Sequence, residues 1–299
     1  MRKNVKKQLA LRVLSTAALV AMVSSIATAA FADTYDLNTG SVTVETKANG
    51  ITYVTQKDDK QVDGFARNKN NEILNEHPDD TGVTITSDGR QTSNTITVEM
   101  AKDQTTDVTL DKVHIEVDTA KTKSGAIEIK GDGDTNLELN GNNTVLVKND
   151  WEEEHAAIEK ADTYGKGTLT IKDDLNDDNT PKDKDENGNA VGGDTGKLVA
   201  GGYHDAAAIG GGGTDDTACT SNITITGGEI TANGGTYGAG IGGGYSGDAS
   251  NIRIEGNADV TAFGDSGAAI GSSYHARGNS DITINDHATV TAASLDACA

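Results

Sequence analysis

One feature limits what this chain can fold into more than any other: it repeats itself about every 30 residues. Three sets of short segments recur in the same order. The first is Ala207-Ala208-Ile209-Gly210, Ala239-Gly240-Ile241-Gly242 and Ala268-Ala269-Ile270-Gly271. The second is Asn222-Ile223-Thr224-Ile225, Asn251-Ile252-Arg253-Ile254 and Asp281-Ile282-Thr283-Ile284. The third is Ile230-Thr231-Ala232, Val260-Thr261-Ala262 and Val290-Thr291-Ala292. Weaker copies run backwards, with Ala126-Ile127 and Ala156-Ala157-Ile158 matching the first set. Leu137-Glu138-Leu139 and Leu169-Thr170-Ile171 match the second. Further back, Val42/Val44, Val83/Ile85, Ile96/Val98, Val108/Leu110 and Ile115/Val117 alternate with polar residues.

Every segment is short, β-branched and of period two, and is bounded by Gly, Asn or Asp, which is the signature of strands separated by tight turns. No helical period of useful length follows residue 32. Three short strands per unit of about 30 residues, with equivalent residues in successive units, specify an all-β solenoid, a parallel β-helix. Ile and Val then stack on their own copies at the strand spacing of about 4.8 Å. Composition agrees: 36 glycines and only 4% aromatics suit aliphatic ladders in a narrow interior with tight corners.

The first 32 residues have a different character. Arg2, Lys3, Lys6, Lys7 and Arg12 precede an apolar run, Val13 to Ala30, and Ala30-Phe31-Ala32 is an A-x-A site. This is the pattern of a secretory signal peptide cleaved after Ala32, so the mature chain is expected outside the cell or on its surface, without membrane insertion. Cleavage removes five of the 25 basic residues and none of the 46 acidic ones, and shifts the net charge from −21 to −26. Such a balance argues against nucleic acid as a partner. It also means that an acidic partner needs bridging cations.

Three regions are expected: the signal at 1–32, an N-terminal cap with irregular first coils at 33–106, and regular coils at 107–299. An acidic loop projects at 173–195, where the repeat is about 20 residues too long. The repeat places Cys298-Ala299 opposite Ala268-Ala269, so the next residue would begin a new coil: either the sequence is a fragment, or the last coil is left uncapped, and an uncapped β-edge invites pairing. Cys219 and Cys298 fall too far apart along the axis to form a disulfide.

If the ladder isoleucines point inward, their predecessors Ala126, Ala157, Ala208, Gly240 and Ala269 are expected to point outward as a stripe of tiny side chains. Thr231, Thr261 and Thr291 flank it on one strand and Arg253 on another. Tyr245 and Tyr274 each lie four residues after a ladder isoleucine and are expected to stack at a corner. These six residues are the candidate ligand contacts. The acidic loop holds a D-x-[DN]-x-[DN]-G pattern with Asp at position 12, in which Gly188 permits the bend and Asp183, Asp185, Asn187, Asn189 and Asp194 are the candidate calcium ligands. The six histidines show no metal-ligand spacing. Gly238-x-Gly240-x-x-Gly243 lacks the helix a dinucleotide site needs, and Gly264-Asp265-Ser266-Gly267 lies in a repeat turn, so neither carries chemistry.

The order of elements supports a resemblance. Tyr35-Asp-Leu-Asn-Thr-Gly-Ser-Val-Thr-Val, Asp107-Val-Thr-Leu-Asp-Lys-Val-His-Ile, Asn136-Leu-Glu-Leu-Asn-Gly-Asn-Asn-Thr, Gly167-Thr-Leu-Thr-Ile and the G-A-G-I-G-G-G repeats resemble the carbohydrate-binding β-helix domains of exported bacterial proteins. The resemblance implies a right-handed parallel β-helix akin to pectate lyases, binding of plant-type and acidic polysaccharide, and calcium on the solenoid. The expected function is therefore a secreted, non-catalytic carbohydrate-binding protein. The alternatives are a structural adhesin or surface stalk, and a polysaccharide lyase, for which Arg253, Arg277 and Lys197 are the candidate bases.

Overall fold

A computed structural model describes residues 34–57, 72–77 (backbone), 82–148, 154–173, 196–214, 216–278 and 280–296. The chain winds as a parallel β-helix with three sheets running along it. The first sheet stacks Thr34–Asp36, Val83–Thr86, Thr105–Asp111, Asp134–Asn140, Leu169–Asp173, Thr220–Ile225, Ala249–Ile254 and Ile282–Ile284. Gln91–Thr92, His114–Asp118, Asn142–Lys148, Lys197–Gly201, Glu229–Asn233, Asp259–Gly264 and Thr289–Ser294 make a second. In the third, Val42–Thr46, Ile96–Met100 and Ile127–Gly131 are followed by two-residue strands, Ile158–Glu159, Ile209–Gly210, Ile241–Gly242 and Ile270–Gly271. Every pairing along these stacks is parallel. Among the described residues one element is an α-helix, the single turn Thr119–Thr122, and no helix is long and apolar enough to cross a membrane.

The isoleucine ladders predicted by the repeat are in register: Ile158, Ile209, Ile241 and Ile270 pair in series, as do Ile223, Ile252 and Ile282, and Ile230, Val260 and Val290. Their buried members fill one continuous core with Leu110, Leu137, Ile171 and Val145. Each such side chain taken out of water contributes about 1.5–3 kcal/mol, so small residues in many copies replace the few large aromatics of an ordinary core. Corners use left-handed backbone. Asn222 and Asn251 take it at φ 58° and 50°, and the Asn251 amide donates to Asn222 Oδ1 at 2.8 Å, an asparagine ladder beside the isoleucine one.

Residues 33–106 contain two arrangements. Val83–Thr86, Gln91–Thr92 and Ile96–Met100 already form a coil in register with its successor. Val42–Thr46 instead extends its sheet sideways through two antiparallel strands, Thr52–Lys57 and Glu72–His77. Residues Asp33–Ala299 make one compact unit.

Two sequence expectations are corrected. The stripe of small residues does not face outward: Ala126, Ala157 and Ala208 are fully buried and Ala269 nearly so, and all four belong to the core. Alternation holds only along extended backbone, and after Ala157, Ala208 and Ala269 the strand is two residues long. The chain bends so sharply around Ile209 that the Ala207 N–H reaches the Gly211 carbonyl at 3.0 Å, and Ala239 does the same to Gly243 at 2.9 Å. The second correction is a slip in alignment. Leu137 pairs with Ile171, and Thr135 with Leu169. A two-residue slip keeps every side chain on its face, so the polarity pattern could not detect it.

Candidate functional site

The tight bends of the third sheet decide where the unusual side chains gather. Because the chain nearly closes on itself around Ile241, the residues four before and four after it meet. These are Tyr237 and Tyr245, whose rings lie 5.8 Å apart at 72°. Tyr274, from the next coil, packs on both, at 5.3 Å from Tyr237 and 6.2 Å from Tyr245, tilted by 41° and 32°. His275 abuts Tyr274 edge-on at 4.2 Å, and His204 meets Tyr237 at 5.6 Å. The expected stacking of Tyr245 on Tyr274 is thus a tilted contact within a larger cluster. Tyr237 and the histidines were not anticipated. The position four before each isoleucine was the available signal. The three tyrosines are half-buried, His275 is exposed, and Tyr203 beside His204 is 47% exposed.

One coil earlier the same corner carries charge. Glu154, four before Ile158, meets His204 and Asp205, the latter four before Ile209. Glu154 Oε1 and Asp205 Oδ1 lie 2.9 and 2.8 Å from the same atom, His204 Nδ1. Burial and then the neighbouring Asp205 carboxylate push the Glu154 pKa up to about 8, so at neutral pH this acid holds a proton. The corner is continuous with the tyrosines, since the Tyr245 N–H donates to the Asp205 carbonyl at 2.7 Å.

Next to it, His155 turns the other way. Its Nδ1 lies 2.9 Å from Glu159 Oε2, which also accepts the Ala156 N–H at 2.9 Å. Glu128, the in-register partner of Glu159 one coil back, lies within 4.8 Å of both through its ligand atoms. Lys130 Nζ sits 2.9 Å from Glu128 Oε2 and 4.8 Å above the Tyr164 ring. Burial, followed by the Glu159 charge, raises the Tyr164 pKa above the usual phenol range. Two of the histidines with no ligand spacing along the sequence, His155 and His204, therefore join two mixed carboxylate–imidazole clusters in space.

The other predicted contacts are scattered. Thr231, Thr261 and Thr291 do form an in-register ladder, but on the second sheet. Arg253 lies on the first sheet between Thr224 and Thr283, and its guanidinium is held by Glu255 at 2.8 Å. These residues and the tyrosines occupy different sheets and do not make one site. Lys197 is ion-paired with Glu229. Asp183, Asp185, Asn187, Asn189 and Asp194, proposed for calcium, lie outside the described residues, as do Trp151 and Cys298. Cys219 is a free thiol, half-buried.

Comparison with known proteins supports the fold. A β-helix repeat family model matches residues 223–245 and 252–274, the coils that carry Tyr237, Tyr245 and Tyr274. No curated protein and no solved structure matches the chain.

Proposed function

We propose that this β-helix is a secreted, non-catalytic carbohydrate-binding protein, with the tyrosine–histidine corner as its contact surface. The observation that carries this reading is the gathering of Tyr237, Tyr245 and Tyr274, three of the seven tyrosines in an aromatic-poor chain, at one corner of successive coils. An isolated core need would have been met by aliphatic residues, as along the isoleucine ladders. Half-exposed phenols offer an apolar ring and a hydroxyl together, which is what a sugar with alternating C–H and O–H faces requires. A site along stacked coils repeats at the strand spacing, so it suits an extended polymer better than a small molecule. With a net charge of −21 over the full chain, an acidic polysaccharide would need a divalent cation between polymer and protein.

The test is the secreted chain on an array of neutral and acidic polysaccharides, with and without calcium, beside Tyr237→Ala and Tyr274→Ala. Binding that falls about tenfold or more in each variant, about 1.4 kcal/mol per ring, is expected. An array with no signal in either condition, or binding that ignores both substitutions, overturns the reading.

A further inference from the structure

The outer face of the third sheet carries a column of residues in register: Thr43, Thr97, Glu128, Glu159, Gly210, Gly242 and Gly271. Two carboxylates interrupt a column otherwise made of threonine and glycine. Like charges directly opposite on neighbouring strands repel, and burial makes the repulsion worse. Lys130 answers Glu128. Glu159, with no solvent exposure at all, meets His155 and the Ala156 N–H through Oε2. Its other oxygen, Oε1, is buried with no hydrogen-bond partner, and the Tyr164 phenol interacts with the same carboxylate.

The pocket around this carboxylate is built. A Cβ on Gly212 would lie 3.0 Å from Glu159 Oε2, and one on Gly125 would lie 3.3 Å from Glu159 Cβ, so both glycines sit closely against this side chain. His155 and Glu128 are 12% and 7% exposed through their side chains. A buried, half-satisfied carboxylate is destabilising unless a counter-charge enters.

We propose that Glu128, His155 and Glu159 bind a divalent transition-metal ion of the zinc class between two consecutive coils. One imidazole and two carboxylates within 4.8 Å of each other form a mixed nitrogen–oxygen donor set. Such a set suits zinc, manganese or cobalt, whereas calcium takes six to eight oxygens and no imidazole. The ion supplies the charge that Glu159 lacks and ties the coil of Ile127–Gly131 to that of Ile158–Glu159. This site is separate from the tyrosine corner, and sugar binding can fail without touching it.

The experiment strips the full chain with a chelator, titrates it with zinc and with calcium chloride, and follows bound metal, melting temperature and the His155 ring resonances. One zinc per chain, a raised melting temperature and shifted His155 resonances are expected, with calcium producing none of these. Glu159→Gln, which keeps the shape and removes the charge, is expected to weaken zinc at least tenfold and to melt no lower than the metal-free parent. His287→Gln, at an exposed histidine on the last described coil, leaves binding unchanged. Zinc-induced His155 shifts that survive Glu159→Gln, no binding by the parent, or unmoved His155 resonances overturn the proposal. The resonances decide the matter even if a variant fails to fold.

Discussion

Lys160 is the residue most at odds with its surroundings. It follows Glu159 out of the two-residue strand, is 2% exposed, and its Nζ has no hydrogen-bond partner. Only its backbone is well served, with N–H to Gly210 at 2.8 Å and carbonyl from Thr220 Oγ1 at 2.6 Å. Burial lowers the amine pKa below its ordinary 10.5, with Asp162 and Asp134 opposing that shift and Lys166 adding to it. Between the depressed folded value and 10.5 the unfolded chain binds more protons than the native one, so stability rises with pH across that window. Lys160→Met should raise stability at neutral pH by about 1 kcal/mol or more and flatten that rise; denaturant melts at several pH values check both. A melt that falls with the substitution would show that the amine has a partner. Asn143, 1% exposed, is the opposite case. Its Oδ1 accepts the Val113 N–H at 2.9 Å and its amide donates to the Lys197 carbonyl at 3.2 Å, so one side chain staples three coils. Neither residue could be placed from the sequence, because only the neighbouring coils determine whether a polar group at a corner finds partners.

At the scale of the element, the unit of stability is the ladder rather than the strand. Ile241 makes a strand of two residues, too short to persist alone, and is held by Ile209 and Ile270 above and below. Ile241→Ala is expected to cost about 2–5 kcal/mol, since rigid coils on both sides prevent the cavity from collapsing. Thr261→Ala, on an outward ladder, should stay within about 0.5 kcal/mol. Paired equilibrium unfolding of the two variants tests this ordering, and equal losses would refute the inward–outward assignment. Gly242 has a different burden. It sits at φ 143°, and a Cβ there would collide with the Gly271 carbonyl oxygen of the next coil. The inward ladders were legible in the sequence because β-branched residues recur at equal spacing. The alanine stripe is not legible by period two, because the chain bends sharply around Ile209 and Ile241 where their strands are only two residues long.

The whole molecule carries far more carboxylates than cations, and the solenoid spreads them along its length. Exposed pairs such as Lys197–Glu229 and Lys148–Glu116 offset little of this, since ion pairs at the surface are worth at most about 1 kcal/mol each. Self-repulsion of the acidic surface should make the fold more stable as salt rises from about 0.01 to 0.15 M, where the screening length falls from about 30 to 8 Å. Thermal melts across that range check it, and a falling midpoint would mean that attractive pairs dominate. At the last described coil Ile282 and Ile284, in register with the buried Ile252 and Ile254, are 38% and 51% exposed. Burial in a solenoid therefore comes from the adjacent coil and not from the strand's own composition. The period of about 30, the β-branched alternation and the scarcity of aromatics by themselves determined the parallel β-helix, because stacking identical residues is the only way so short a strand can be buried. The carboxylate–imidazole clusters and the tyrosine corner were decided by tertiary structure. Glu128, Glu154, His204 and Tyr274 are far apart along the chain, and only the winding of successive coils, with its near-closed bends, brings them onto one edge.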